Sequence, residues 1–276
     1  VCIQPCCHGT WLALGTSGYL YNLNMKTGAL SRPRFTGITS HPSLQGGIGP
    51  LAYNKSTRKL YSFGQALSEG STSYLYEISR TSGAATRIGQ LKATTHYTGV
   101  AAHDVEEGVY GGYATFNPAG NTLYGGSDSG SSHTNASLMT IDVSTGTATK
   151  FGANYDNSSP LIVSSFAYGA AFHPINELMY CWRQDLASSN YYISLLSTST
   201  GIASTGRALT RSSTGHVPFD MEMVKQPSGV VKAYAVGTAL FVCNDIDAAS
   251  PVLTKIADFT GMVGGSDGIV GLAKVP

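Results

Sequence analysis

Two acidic residues set two apart, Asp220 and Glu222 in the run DMEM, are the sharpest chemical signal in the chain. Side chains alternate along a strand, so both carboxyls share one face and Met221 and Met223 take the other. Paired carboxylates beside a channel offer hard oxygen ligands to Ca²⁺. They also offer the acid, with its base or nucleophile, that sugar hydrolysis needs, and Asp267 would be the third acid of such a set. The plainer alternative is a hydrated wall, with the acids held by Arg207 or Arg211.

Around these acids the sequence supplies a wider set of ligand-binding candidates. His103, Asp104 and Tyr110 crowd into one insertion, Tyr168, Arg183 and His216 fall near other long connections, and Asp220, Glu222 and Asp267 approach the axis. Tyrosine rings with scattered polar groups suit a sugar, which has an apolar face and a hydroxyl rim. The histidines, at 8, 41, 96, 103, 133, 173 and 216, show no HxH or HExxH spacing, which gives zinc no motif. A strand-to-helix turn of the kind that presents a nucleophilic serine is not expected in such a chain, and no glycine-rich phosphate cradle precedes a helix. Ca²⁺ at Asp220 and Glu222 is the single cofactor option.

The elements that must carry these residues are written as a repeat. GYLYNLNMKTGALSRP from Gly18 returns as SYLYEISRTSGAATRIG from Ser73, ASLMTIDVSTGTATKFG from Ala136 and NYYISLLSTSTGIASTG from Asn190, and more loosely as TALFVCNDIDAASPVLTKI from Thr238. Each copy reads as strand, tight turn and strand, with Gly28, Gly83, Gly146 and Gly201 placed where a short hairpin needs positive φ. A second segment precedes each hairpin: GPLAYNKSTRKLYSFG from Gly49, GYATFNPAGNTLYGGS from Gly112, GAAFHPINELMYCWRQ from Gly169 and DMEMVKQPSGVVKAYAVG from Asp220. The fifth copy is completed by joining GIVGLAKVP of the tail to HGTWLALGTSG of the head. A four-stranded unit copied five times predicts an all-β, five-bladed β-propeller whose closing blade is shared by the two ends of the chain. The stretch 98–112 is read as a long loop rather than half of a sixth blade. The hairpin resembles the secreted propeller repeats of the YVTN and quinoprotein-like kind, a resemblance that implies architecture and no activity.

With strands A to D counted outward from the axis, the A–B and C–D turns share one face and are short. The connections 37–49, 90–112, 152–167 and 209–219 lie on the other face with the B–C loops 65–72 and 127–134, and they are long and unequal. Variable loops on a rigid scaffold are where binding is expected.

Composition narrows the partners. Charged residues are 12% of the 276, and 17 basic groups against 16 acidic ones leave a net charge of +1, a poor match to nucleic acid or an anionic membrane surface. No apolar run reaches the length of a membrane span. The chain starts at Val1, and Cys2, Cys6 and Cys7 cluster in CIQPCC, a pattern expected of a processed, secreted protein. These three are the disulfide candidates, whereas Cys181 and Cys243 fall inside strands as small apolar groups. An odd thiol in this head, residues 1–7, predicts self-association by cross-linking, its rival being a bridge from the head to Cys181 or Cys243. The propeller then occupies residues 8–276. Sequons at Asn54, Asn135 and Asn157 all fall in expected turns or loops, where a glycan acceptor must lie.

The function favoured by the sequence is an extracellular binding or adhesion module that recognises a glycan or a protein partner through the variable face. The alternative is a secreted carbohydrate-active hydrolase or lyase working through axial carboxylates.

Overall fold

A computed structural model describes residues 9–39, 48–66, 73–91, 93–94, 110–128, 137–150, 165–185, 191–201, 203–204, 206–211, 220–262 and 268–276. In chain order, β1 (Thr10–Gly15), β2 (Tyr19–Leu23) and β3 (Leu30–Phe35) are followed by the short β4 (Ile38–Thr39). Then come β5 (Ile48–Asn54), β6 (Lys59–Ala66), β7 (Ser73–Ile78), β8 (Ala85–Gln90) and the short β9 (Ala93–Thr94). β10 (Tyr110–Phe116), β11 (Leu123–Asp128), β12 (Ser137–Ile141) and β13 (Ala148–Lys150) form the next group. It is followed by β14 (Ser165–Phe172), β15 (Met179–Asp185), β16 (Tyr191–Leu196) and β17 (Arg207–Arg211). β18 (Asp220–Lys225), β19 (Val231–Val236), β20 (Ala239–Cys243), β21 (Val252–Asp258) and β22 (Ile269–Val275) complete the chain.

Among the described residues these strands make five antiparallel four-stranded meanders, which we number as blades I (β22-β1-β2-β3), II (β5 to β8), III (β10 to β13), IV (β14 to β17) and V (β18 to β21). The first strands of the blades touch in cyclic order, β22 to β5 to β10 to β14 to β18 and back to β22. This is a β-propeller. Blade I closes as the sequence predicts, with β22 antiparallel to β1 from Thr10↔Val275 to Gly15↔Ile269. The inner strand of blade III starts at Tyr110, inside the stretch expected to be loop.

Each interface between neighbouring blades holds one apolar cluster. Leu12, Leu60 and Tyr76 fill I–II; Tyr61, Phe63 and Leu123 fill II–III; Leu138 and Cys181 fill III–IV. Trp182, Met221 and Phe241 fill IV–V, and Tyr21 and Leu240 fill V–I. Alternation delivers these residues, since every second side chain of a blade meets its neighbour. Cys181 and Cys243 are buried in β15 and β20, as expected of small apolar groups.

Main-chain bonds also tie the outer strands into a belt. β9, just past blade II, runs parallel to β13, and β17 runs parallel to β21. Leu30 N–H donates to Thr260 O at 2.8 Å, and Ala85 N–H donates to Thr36 O at 3.2 Å. Outer strands are the edges at which foreign strands could add, and these bridges occupy part of them.

The C–D turn glycines do more than allow positive φ. Gly146 (φ 81°) lies against the backbone of Gly89 in blade II, and a Cβ on Gly89 would overlap the Thr145 carbonyl oxygen. Gly229 (φ 89°) has nothing within 4 Å of its would-be Cβ. Gly89→Ala is therefore expected to cost about 2 kcal/mol by overpacking. Gly229→Ala should cost only the strain of its backbone, about 1 kcal/mol. Urea unfolding of the two variants checks the order; equal losses would show that blade docking tolerates the added methyl.

Candidate functional site

β18 places the two acids. Met221 and Met223 turn into the blade IV–V core at 2% and 4% exposure, and the alternation sends Asp220 and Glu222 to the other side. Asp220 opens the strand and is fully enclosed, at 0% exposure. Its described partners are backbone amides, and Arg207 is not among them. Leu272 N–H of blade I donates to Oδ2 at 2.8 Å, Leu51 N–H of blade II donates to the same oxygen at 3.3 Å, and its neighbour Met221 N–H donates to Oδ1 at 2.9 Å. Arg207 instead donates to the Ala248 carbonyl at 2.9 Å. Blades V and II are not neighbours, so a carboxylate that reaches both lies across the ring axis. The inner strands are close there: a Cβ on Gly169 would stand 3.1 Å from the Asp220 backbone, and one on Gly271 would stand 2.8 Å from Leu51.

Burial pushes Asp220 well above the ordinary carboxylate range, the three N–H donors oppose that rise, and Glu222 adds to it. A carboxylate so enclosed cannot meet a substrate as acid, base or nucleophile. Nor does it suit Ca²⁺, since N–H dipoles already converge on both of its oxygens, which leaves Glu222 without the partner that the calcium reading requires. Asp220 is a clasp between three blades, a correction to its expected catalytic and ligand-binding role.

Glu222 differs. It keeps a partial opening to solvent, yet the protein packed round its carboxyl pushes it up to about 7. The Lys55 and Lys274 ammonium groups restrain the rise. Such a carboxyl holds its proton through much of the neutral range, which is the property required of a general acid.

Of the other expected site residues, His103, Asp104, His216 and Asp267 lie outside the described residues. Tyr110, Tyr168 and Arg183 stand on β10, β14 and β15, where their backbones alone are described. Cys2, Cys6 and Cys7, and the sequons at Asn135 and Asn157, are likewise outside. Asn54 is inside and corrects its expected role as a glycan acceptor. It is 2% exposed, its amide donates to Gly120 O of blade III at 2.8 Å, and its Oδ1 accepts from Ser56 N–H at 2.9 Å. The nitrogen that a glycan would use instead holds two blades together.

His173 plays a similar part between blades IV and V. Its Nδ1 accepts from Ile175 and Asn176 N–H, so Nε2 carries the proton and faces Asp247 Oδ2 at 3.1 Å. Among the described residues no group of three or more His, Cys, Asp or Glu side chains is placed to hold a metal ion.

No protein-family description matches the chain, and no curated protein sequence matches it. Solved structures do. An exo-β-1,3-galactanase from Clostridium thermocellum superposes with a TM-score of 0.56 at 15% identity, over 90% of this chain and 60% of that one. An exo-β-1,3-galactanase from Phanerochaete chrysosporium with galactose gives 0.52 at 9% identity, over 89% and 62%. A GH43 β-1,3-galactosidase with galactodeoxynojirimycin gives 0.52 at 9% identity, over 87% and 88%. The chain thus spans about three fifths of the length of either galactanase. At such identities the likeness is one of fold, and it places the chain in the β-propeller class that the repeat resemblance implied.

Proposed function

We propose that the protein is a carbohydrate-active hydrolase of the propeller type, in which Glu222 donates the proton to the departing sugar oxygen. The observation that carries this reading is the Glu222 carboxyl, held at about 7 on the inner strand of blade V. The fold likeness to galactose-releasing propellers supports the substrate class. With Asp220 enclosed, the second carboxylate would come from another connection, and Asp104 and Asp267 are two of the acids that the variable connections carry. A lyase is a poorer fit, because a carboxyl that keeps its proton to about pH 7 is a donor rather than an abstracting base.

The withdrawal of Asp220 favours the second reading, a glycan-binding module without turnover. β-1,3-Linked galacto-oligosaccharides separate the two. The hydrolase should release reducing sugar, lose activity as pH rises through about 7, and lose roughly a hundredfold or more in kcat in Glu222→Gln while still binding. Wild-type protein that binds the oligosaccharide without cleaving it, with Glu222→Gln binding equally well, overturns the hydrolase and leaves the binding module.

A further inference from the structure

A second site lies at the end of the ring where the short turns gather, away from the variable loops. Between blades I and II is a cavity of about 440 Å³, beside Thr10, Val275 and Pro276. The other blades close this position with an A–B hairpin, whereas β22 and β1 come from opposite ends of the sequence and have no turn joining them. Arg32 and Arg34 from β3 and Arg80 from the C–D turn of blade II line its wall.

Their arrangement is specific. The β2–β3 pairing shifts register between Leu20 and Asn22, and opposite this irregularity Arg32 adopts φ 51°, a left-handed conformation that a non-glycine residue holds at a cost. Arg34 is fixed by donation to Arg80 O at 2.9 Å and to Asn22 Oδ1 at 2.8 Å. Arg80 stacks over the Tyr53 ring at 5.5 Å. None of the three pairs with a carboxylate among the described residues. Burial and the neighbouring Arg32 charge hold Arg34 below the ordinary guanidinium range. Three arginines line one cavity that no Asp or Glu side chain lines, and an anion would relieve the repulsion among them.

We infer that this cavity binds an acidic saccharide by its carboxylate, gripped by Arg32 and Arg80 beside the fixed Arg34. The planar guanidinium fork matches a carboxylate in two-point contact. A volume of about 440 Å³ is in the range of organic ligand sites, more than a bare oxyanion needs. Thr10, Thr81 and Asn22 add neutral polar groups suited to hydroxyls, and Pro33 adds an apolar surface for a ring. This site is independent of Glu222 and of whether the protein cleaves anything.

The test is titration calorimetry of the whole chain at about 0.15 M salt, where exposed charges are largely screened. The probes are trigalacturonate, neutral galactotriose and inorganic sulfate. Trigalacturonate should bind, and Arg32→Ala and Arg80→Ala should each weaken it about tenfold or more. Arg32→Gly should weaken it equally while raising Tm by about 2 °C, because glycine adopts that φ without strain. A site that is merely structural would not combine weaker binding with a more stable protein. Unchanged affinity in Arg32→Ala, equal binding of galactotriose, or inorganic sulfate binding as tightly as trigalacturonate would each overturn the assignment.

Discussion

Asp220→Ala is expected to lower the unfolding free energy by about 4 kcal/mol, the largest loss from any single side chain discussed above. Alanine strips the acceptor from Leu272, Leu51 and Met221 N–H in a region without solvent. A buried donor left unmatched costs about 1–3 kcal/mol. Removal of a buried charge offsets part of that sum. Asp220→Asn separates the two effects, because its amide can keep an oxygen toward Leu51 and Leu272 while presenting NH₂ to Met221. It should lose about half as much. Urea unfolding measures both, and an alanine variant within about 1 kcal/mol of wild type would show that the three amides find other acceptors.

A second large effect is expected from pH acting on Glu222. Its folded-state pKa of about 7 lies above the ordinary 4.5, so the folded protein holds this proton more tightly than the unfolded chain does. The contribution is fully stabilising below about pH 4.5 and is lost as pH rises through 7. A shift of that size corresponds to at most about 3 kcal/mol, and the partial opening of the side chain brings it below this bound. Asp220 shifts in the same direction, so wild-type stability should fall with pH more steeply than Glu222 alone requires. The difference between wild type and Glu222→Gln isolates the single group. It should grow between pH 5 and 8 until the variant is the more stable protein, and two parallel curves would contradict the raised pKa.

Most of the scaffold could be read from the repeat because hairpins and alternation are local. Gly28, Gly83, Gly146 and Gly201 mark their turns, and DMEM places its acids and methionines on opposite sides. The task of Asp220 was hidden because its donors are main-chain amides 52 and 169 positions away, which no side-chain pattern encodes. One hint was present: the other inner strands carry Leu51, Ala114 and Ala170 in this region, and an acid in an apolar row requires a buried partner. The outer belt is likewise main-chain work. Asn54 misled because a sequon and a turn-capping asparagine look alike until burial is known. The arginine cavity joins Arg32 and Arg34 to Arg80 of the next blade, residues the repeat pattern treats as ordinary hairpin positions.

The closing blade also sets an order in time. β1 leaves the ribosome before blades II to V, and its inner partner β22 leaves after them. Blades II to V are each contiguous in sequence and can pair as they emerge, whereas β1 must wait through their synthesis with one edge unmatched. Leu12, Ala13 and Leu14 lie on that waiting edge and become enclosed in the finished ring. The nascent chain therefore carries an apolar strand in search of a partner while blades II to V are made. During that interval a chaperone or a second nascent copy competes with β22 for the same amides.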